Sequence, residues 1–285
     1  MIVTYFVKHS PLESDPRTEA LLSSLRQKGC EVVRVQGQDD ALPEGASLLL
    51  SLGGDGTFLD ATRIAASSGV PVMGVNLGRM GFLSGAAGDH IAEAIVSGSY
   101  KVEERSMIEV SLRDASGAAF VPEAKFWSCA LNEVSVMRCG AAMIGIDVSV
   151  DGEPLPTYWA DGLLVSTSTG STAYSLSVGG PVCTPDAQLL IIAPVSPHNL
   201  NVRPLIVPLG TEVEISLRSR CSDVMFTMDN RVYRVPSGTV VRTAASAIKA
   251  KRAVAGSSNF RSDFINALEN RLLWGGDIRN QKEND

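Results

Sequence analysis

The 285-residue sequence predicts an α/β N-terminal domain, a parallel sheet with flanking helices, joined to an all-β C-terminal domain. Three observations carry this. Apolar strand-like runs alternate with helical patterns through the first hundred residues, which argues for a parallel sheet. After about Glu104 an alternation of period two takes over, the mark of strands with one buried face. Asp151-Gly152 then follows such a strand at once, a strong hairpin-turn signal.

Ile2 to Val7 is a short apolar run and a candidate buried strand. Thr18 to Lys28 carries Leu21, Leu22 and Leu25 at helical spacing, with Gly29 where a C-terminal cap belongs. Glu31 to Val35 and the almost wholly apolar Ser47 to Leu52 are further strands, the second fit to be covered on both faces. A helix from Thr57 groups Phe58, Ala61, Thr62 and Ala65 and stops near Gly69; Pro71 to Val75 is the next strand. In the second half Ile144, Ile146, Val148 and Val150 share a face, and Val213, Ile215 and Leu217 repeat the pattern. Val224 to Met228 and Thr239 to Val241 add strands, and Phe260 to Trp274 returns to helical spacing before a charged end expected to fray. The two halves are expected to pack closely around a crevice.

Composition narrows the function. A net charge of −6 without like-charge blocks offers no basic patch for nucleic acid or anionic lipid. No stretch reaches the ~18 apolar residues of a membrane helix. The N-terminus lacks the features of a secretory signal, so a cytoplasmic location is expected. The five cysteines, Cys30, Cys129, Cys139, Cys183 and Cys221, form no C-x-x-C pair, so reduced thiols are expected rather than zinc or disulfides. The three histidines, His9, His90 and His198, are far apart in sequence, which disfavours a histidine metal site or a Ser-His-Asp triad. His198, in a proline-rich turn, is expected to make a structural hydrogen bond.

The sharpest local signal is Gly53-Gly54-Asp55-Gly56-Thr57, between a buried strand and a helix start. Gly53, Gly54 and Gly56 let backbone approach a ligand, and the helix N-terminus with Thr57 suits phosphate. The Lys-Ser/Thr ending of a Walker A loop is absent. A carboxylate here is costly beside phosphate unless it orients or deprotonates a hydroxyl, or helps hold Mg²⁺. A tight turn with Asp55 as cap would use the same residues. The second signal is Asp161 to Pro181, dense in hydroxyls from Ser166 to Ser177 and including Thr172, Ala173 and Tyr174. Hydroxyls and free N–H groups bind ribose, amide and phosphate without added charge, and Tyr174 offers a ring for stacking. Local side-chain-to-backbone bonds are the plainer use of such a stretch. Asn132-Glu133 sits in a strand-like run, where neighbours face opposite sides; alone it reads as a solvated strand end. Arg79 could meet phosphate or pair with a carboxylate.

Taken together these stretches resemble the NAD kinase family, which phosphorylates the 2′-hydroxyl of the adenosine ribose of NAD. Gly53 to Thr57 is similar to its GGDGT, Asn76 to Leu83 to its NLGRLGFL with Met80 replacing Leu, and Asn132-Glu133 to its NE pair. Asp161 to Pro181 is similar to its DGLIxxTPTGSTAYSLSxGGP with Ser168 for Pro, and Pro197 to Pro204 to its PHxLxxRP. The resemblance implies a C-terminal β-sandwich domain and a last segment returning to the first domain, hence a division into 1–106, 107–250 and 251–285. It implies Asp55 as general base or hydroxyl-orienting group with Gly56 beside the ligand, and Asn132 and Glu133 on the ribose and adenine. Phe82 would lie near the adenine, Asp161 at the nicotinamide end, and Thr172, Ala173, Tyr174 and Ser177 along the pocket. ATP as donor with Mg²⁺ or another divalent cation, and a homodimer or homotetramer, are implied too. Two departures stand out: Asp229-Asn230-Arg231 stands where the family often shows Asp-Gly-Gln or a similar trio, and the pocket's basic or polar residue has no clear match in Arg138 to Gly145. A lipid or sphingoid kinase shares GGDGT but predicts an apolar cleft or basic surface. A non-catalytic dinucleotide sensor predicts loss of Asp55, which is present.

Overall fold

Apolar runs long enough to be hidden on both faces fix the first unit, Met1–Glu104 with Ala250–Asp285. The structure, a computed structural model, describes residues 1–8, 10–37, 40–77, 81–86, 90–256 and 260–272. His9, Gly78, Arg79, Met80 and Trp274 lie outside them. The sheet runs in the order Glu31–Val35, Ile2–Phe6, Ala46–Leu52, Val72–Asn76, Ala250–Ala255, Tyr100–Arg105, with Gly85–Ala86 beside Val72–Asn76. Ile2–Phe6 pairs in parallel with both its neighbours, and Val72–Asn76 pairs in parallel with three strands.

Leu48 to Leu52 are fully hidden, as a strand covered on both faces requires. The helix Pro16–Gln27 starts where expected by chemistry. Asp15 caps it by accepting from the Arg17 N–H at 2.9 Å, and Pro16 supplies a preset φ. Leu21, Leu22 and Leu25 join Val3, Tyr5, Leu48 and Leu50 in one core. The helix Asp55–Ala66 begins two residues before the start expected at Thr57, which moves Asp55 from a loop into a helical first turn.

The second unit, Arg105–Lys249, is antiparallel throughout. A six-stranded sheet is ordered Leu205–Pro208, Leu189–Val195, Gly162–Thr167, Glu133–Met137, Asp223–Met228, Arg231–Pro236. An eight-stranded sheet contains Ile144–Val150, Val213–Arg218, Val240–Ala245 and Ile108–Arg113 as its middle. Val134, Val136, Leu163, Val165 and Phe226 of the first share one core with Ile144, Ile146, Ile215 and Val241 of the second, which makes a sandwich. Period two explains the burial: Ile108, Val110 and Leu112 are hidden and the residues between them exposed. Asp151 (φ 51°) and Gly152 (φ 84°) form the two-residue turn that pairs Val150 with Glu153.

Candidate active site

In the α/β unit the site is built around one carboxylate. Asp55 opens a helix, where negative charge meets the positive end of the helix dipole. Its oxygens are held by a turn that follows Val72–Asn76. Phe82 N–H donates to Oδ2 at 2.9 Å, Leu83 N–H to Oδ1 at 3.2 Å, and the Ser84 hydroxyl to Oδ1 at 3.1 Å. Arg271, from the helix Phe260–Leu272, adds an ion pair to Oδ2 at 3.3 Å. A Cβ at Gly81 would lie 1.8 Å from Asp55 Oδ1, so the turn approaches as closely as it does only because residue 81 has no side chain. The Phe82 ring packs on Phe264, with centroids 6.0 Å apart, and under the Arg271 guanidinium at 5.2 Å.

In the sandwich unit the Asn132-Glu133 pair is buried, not solvated as the two residues suggested in isolation; each is 8% exposed. The reason is Asp229, which the sequence marks only as the first residue of the Asp229-Asn230-Arg231 trio, with no hint of this role. Asp229 accepts from the backbone N–H groups of Leu131 (2.9 Å), Asn132 (2.7 Å) and Glu133 (3.3 Å), so one side chain holds the whole approach to the strand. It does so from a left-handed conformation (φ 53°) that Asp tolerates better than most residues. Burial pushes the Asp229 carboxyl up, against these three donors. Glu133 is pushed to about 8, first by burial and then by the Asp229 charge, while the Tyr174 N–H donates to it. Its Oε2 is buried without a hydrogen-bond partner among the described residues. A carboxyl in this state is mostly protonated at neutral pH, and can donate as well as accept.

The hydroxyl-rich stretch wraps the same pair. Thr167 N–H and the Ser166 hydroxyl donate to Asn132 O at 2.9 and 3.1 Å, and the Thr167 hydroxyl donates to Leu131 O at 2.7 Å. A Cβ at Gly170 would sit 2.1 Å from Asn132 O, so backbone meets backbone there. Thr169–Thr172 is a single 3₁₀ turn and Tyr174–Ser177 a helix of four residues, which Gly179-Gly180-Pro181 does not continue. Thr172 and Ala173 are half-buried, and Tyr174 and Ser177 exposed. The Tyr174 hydroxyl reaches Met137 Sδ at 3.9 Å.

Asp161 pairs with Arg138, Nε to Oδ1 at 2.6 Å. Arg138, at the start of the stretch in which the family's pocket residue had no clear match, is thus the ion-pair partner of Asp161. Arg231 donates to the carbonyls of Trp127 (2.6 Å) and Cys129 and lies over the Trp127 ring, so its guanidinium ties down the segment before the pair. His198 is exposed and bonds through its backbone N–H to Trp159 O at 2.8 Å. All five cysteines are free thiols. Among the described residues no helix is long and apolar enough to cross a membrane, and no group of three His, Cys, Asp or Glu forms a metal cage.

Solved structures of two dinucleotide kinases share this fold. One is yeast NADH kinase complexed with NADH: TM-score 0.82, 22% identity, 99% of this chain and 90% of that one. The other is an NAD kinase from Archaeoglobus fulgidus in complex with ATP: TM-score 0.70, 24% identity, 99% of this chain and all of that one. The chain thus has the fold of these two kinases. Residues 8–99 match the model of the ATP-NAD kinase N-terminal domain and residues 131–254 that of the ATP-NAD kinase C-terminal domain. The NAD kinase of Flavobacterium psychrophilum is 38% identical over 243 residues, 84% of this chain and 80% of that protein. That of Geotalea daltonii is 37% identical over 241 residues, 83% and 81%. The chain belongs to the ATP-NAD kinase family.

Proposed function

We propose that the chain is an NAD kinase, which moves the γ-phosphoryl of ATP to the 2′-hydroxyl of the adenosine ribose of NAD and so makes NADP. The observation that carries this reading is a carboxylate, Asp55, immobilised at a helix start by three donors of one turn, in a chain whose two halves both match the family. The 2′-oxygen attacks the γ-phosphorus, the bond to the β,γ-bridging oxygen breaks, ADP leaves, and the hydroxyl proton passes to Asp55. Phosphoryl transition states are loose, so positioning and charge compensation supply most of the rate. A carboxylate locked in place suits orientation of the hydroxyl more than strong proton abstraction.

Gly53, Gly54, Gly56 and Thr57 receive the donor phosphates at the helix N-terminus. The divalent cation, Mg²⁺ or another, is carried in by the ATP phosphates as part of the substrate. Asn132 and Glu133 hold the adenosine. Glu133 is fitted for this by a buried Oε2 that has no hydrogen-bond partner among the described residues, on a carboxyl that burial pushes up to about 8. Phe82 lies at the adenine, Asp161 with Arg138 serves the nicotinamide end, and Thr172, Ala173, Tyr174 and Ser177 line the dinucleotide. The functional unit is a homodimer or homotetramer, checked by light scattering of the pure protein.

The test is direct. Pure protein is incubated with ATP, Mg²⁺ and NAD, and NADP is counted with an NADP-specific dehydrogenase. Asp55→Asn is expected to lower the rate by roughly 10²–10⁴ if the carboxylate takes the proton. A loss of only a few-fold would remove Asp55 from the chemistry. Tight NAD binding without NADP would favour a dinucleotide sensor.

A further inference from the structure

We propose that Arg271 is a further catalytic residue, which holds the last acceptor position of Asp55 and turns to the transferring phosphoryl when the acceptor hydroxyl takes that position. This rests on the reading of Asp55 given above.

A carboxylate has about four acceptor positions on its two oxygens. Among the described residues Asp55 meets four donors: the N–H groups of Phe82 and Leu83, the Ser84 hydroxyl, and Arg271 Nη1. Three belong to one short turn and are bound to it by covalent continuity. A substrate hydroxyl that bonds to Asp55 therefore displaces a donor, and Arg271 is the one that can leave without unmaking the turn. Its side chain is 36% exposed and attached at 3.3 Å, the longest of the four contacts.

Arg271 is also delivered there by design of its helix. Phe264, Ala267 and Leu268 are buried, and Arg271 continues the same face at the spacing i, i+3, i+4, i+7. Phe264 anchors this face on the Phe82 ring, and the guanidinium lies over the other end of the same contact. The apolar part of the face fixes the helix, and its last member carries a cation to the carboxylate.

The chemistry needs that cation. A phosphoryl group brought against Asp55 places like charges together, and the transition state spreads negative charge over its equatorial oxygens. A guanidinium released from Asp55 Oδ2 remains within reach of those oxygens and presents several N–H donors in a planar fork. The displacement moves charge compensation from the carboxylate to the phosphoryl at the moment the hydroxyl binds.

The experiment measures NADP formation by wild type, Arg271→Ala and Arg271→Lys, each with and without added guanidinium chloride at non-denaturing concentration. Arg271→Ala is expected to lose kcat by roughly 10²-fold, the size seen when one transition-state donor is removed, while KM for NAD does not rise. Arg271→Lys keeps part of the rate, and free guanidinium restores part of the Ala variant's rate. A kcat within a few-fold of wild type would overturn the proposal. So would a raised KM with kcat kept, or a loss that guanidinium does not relieve, since each describes a helix that only props the turn. Silence of the wild type would overturn the kinase reading and this one with it, and is distinct from an active wild type indifferent to Arg271.

Discussion

Glu133 is pushed to about 8, chiefly by burial and secondarily by Asp229, and this has a sign that can be checked. Its pKa in the folded state lies above that of an exposed glutamate. Between about 4.5 and about 8 the folded chain keeps a proton that the unfolded chain has released, so stability falls as pH rises through that window. Glu133→Gln imitates the protonated carboxyl and removes this dependence. The melting temperature of wild type should therefore drop relative to Glu133→Gln on going from pH 5 to pH 8; parallel curves would show that the carboxyl is not held protonated. Single residues also mark what was legible in the sequence. Asp55, Glu133 and Tyr174 stand in local motifs and could be named from them. Asp229 acts on amides about 97 residues away and Arg271 on a carboxylate 216 residues away, and no local pattern encodes such a pairing. Only the register of the strands that carry Glu133 and Met228 brings Asp229 beside the pair.

Elements were legible where a single period or a single turn governs them. The strand Ile144–Val150 and its Asp-Gly turn follow from alternation and turn chemistry alone, and the two-residue hairpin is as expected. The helix start at Asp55 was missed by two residues because Gly54 supplies the cap through its backbone, with no side-chain signal. The turn over residues 81–84 shows what an element can do that its residues cannot do singly. Gly81 is silent as chemistry, yet a methyl group there would fall 1.8 Å from Asp55 Oδ1 and 2.6 Å from Ser84 Oγ. Gly81→Ala forces turn and carboxylate apart. The cost to stability is expected to be about 1–3 kcal/mol, as for other overpacked sites. The loss of kcat should be far larger than that of an equally destabilising change in the sandwich core, with both read from melting curves and steady-state rates. Equal loss in both variants would deny the turn its positioning role.

On the scale of the whole molecule the two units differ in how the chain supplies them. The sandwich unit is one continuous stretch, Arg105–Lys249. The α/β unit is made of two pieces, and the later piece provides the strand Ala250–Ala255, which lies inside the sheet between Val72–Asn76 and Tyr100–Arg105. Residues 105–249 expressed alone should give a cooperative thermal transition and protected amides. Residues 1–104 alone should not, and should recover structure when a peptide of 250–285 is added, because without it the inner strand Val72–Asn76 has an open edge and Tyr100–Arg105, at the end of the sheet, loses the strand beside it. A cooperative fold of 1–104 by itself would contradict this.

The interrupted sheet also sets a timetable. During synthesis the first hundred residues leave the ribosome with the slot for Ala250–Ala255 still vacant, and roughly 145 further residues must be made before its occupant exists. At about 5–20 residues per second this is a wait of roughly 7–30 s. Throughout it the apolar strands Ala46–Leu52 and Val72–Asn76 belong to an unfinished nascent chain, a natural client for holding chaperones, while the sandwich can mature on its own schedule.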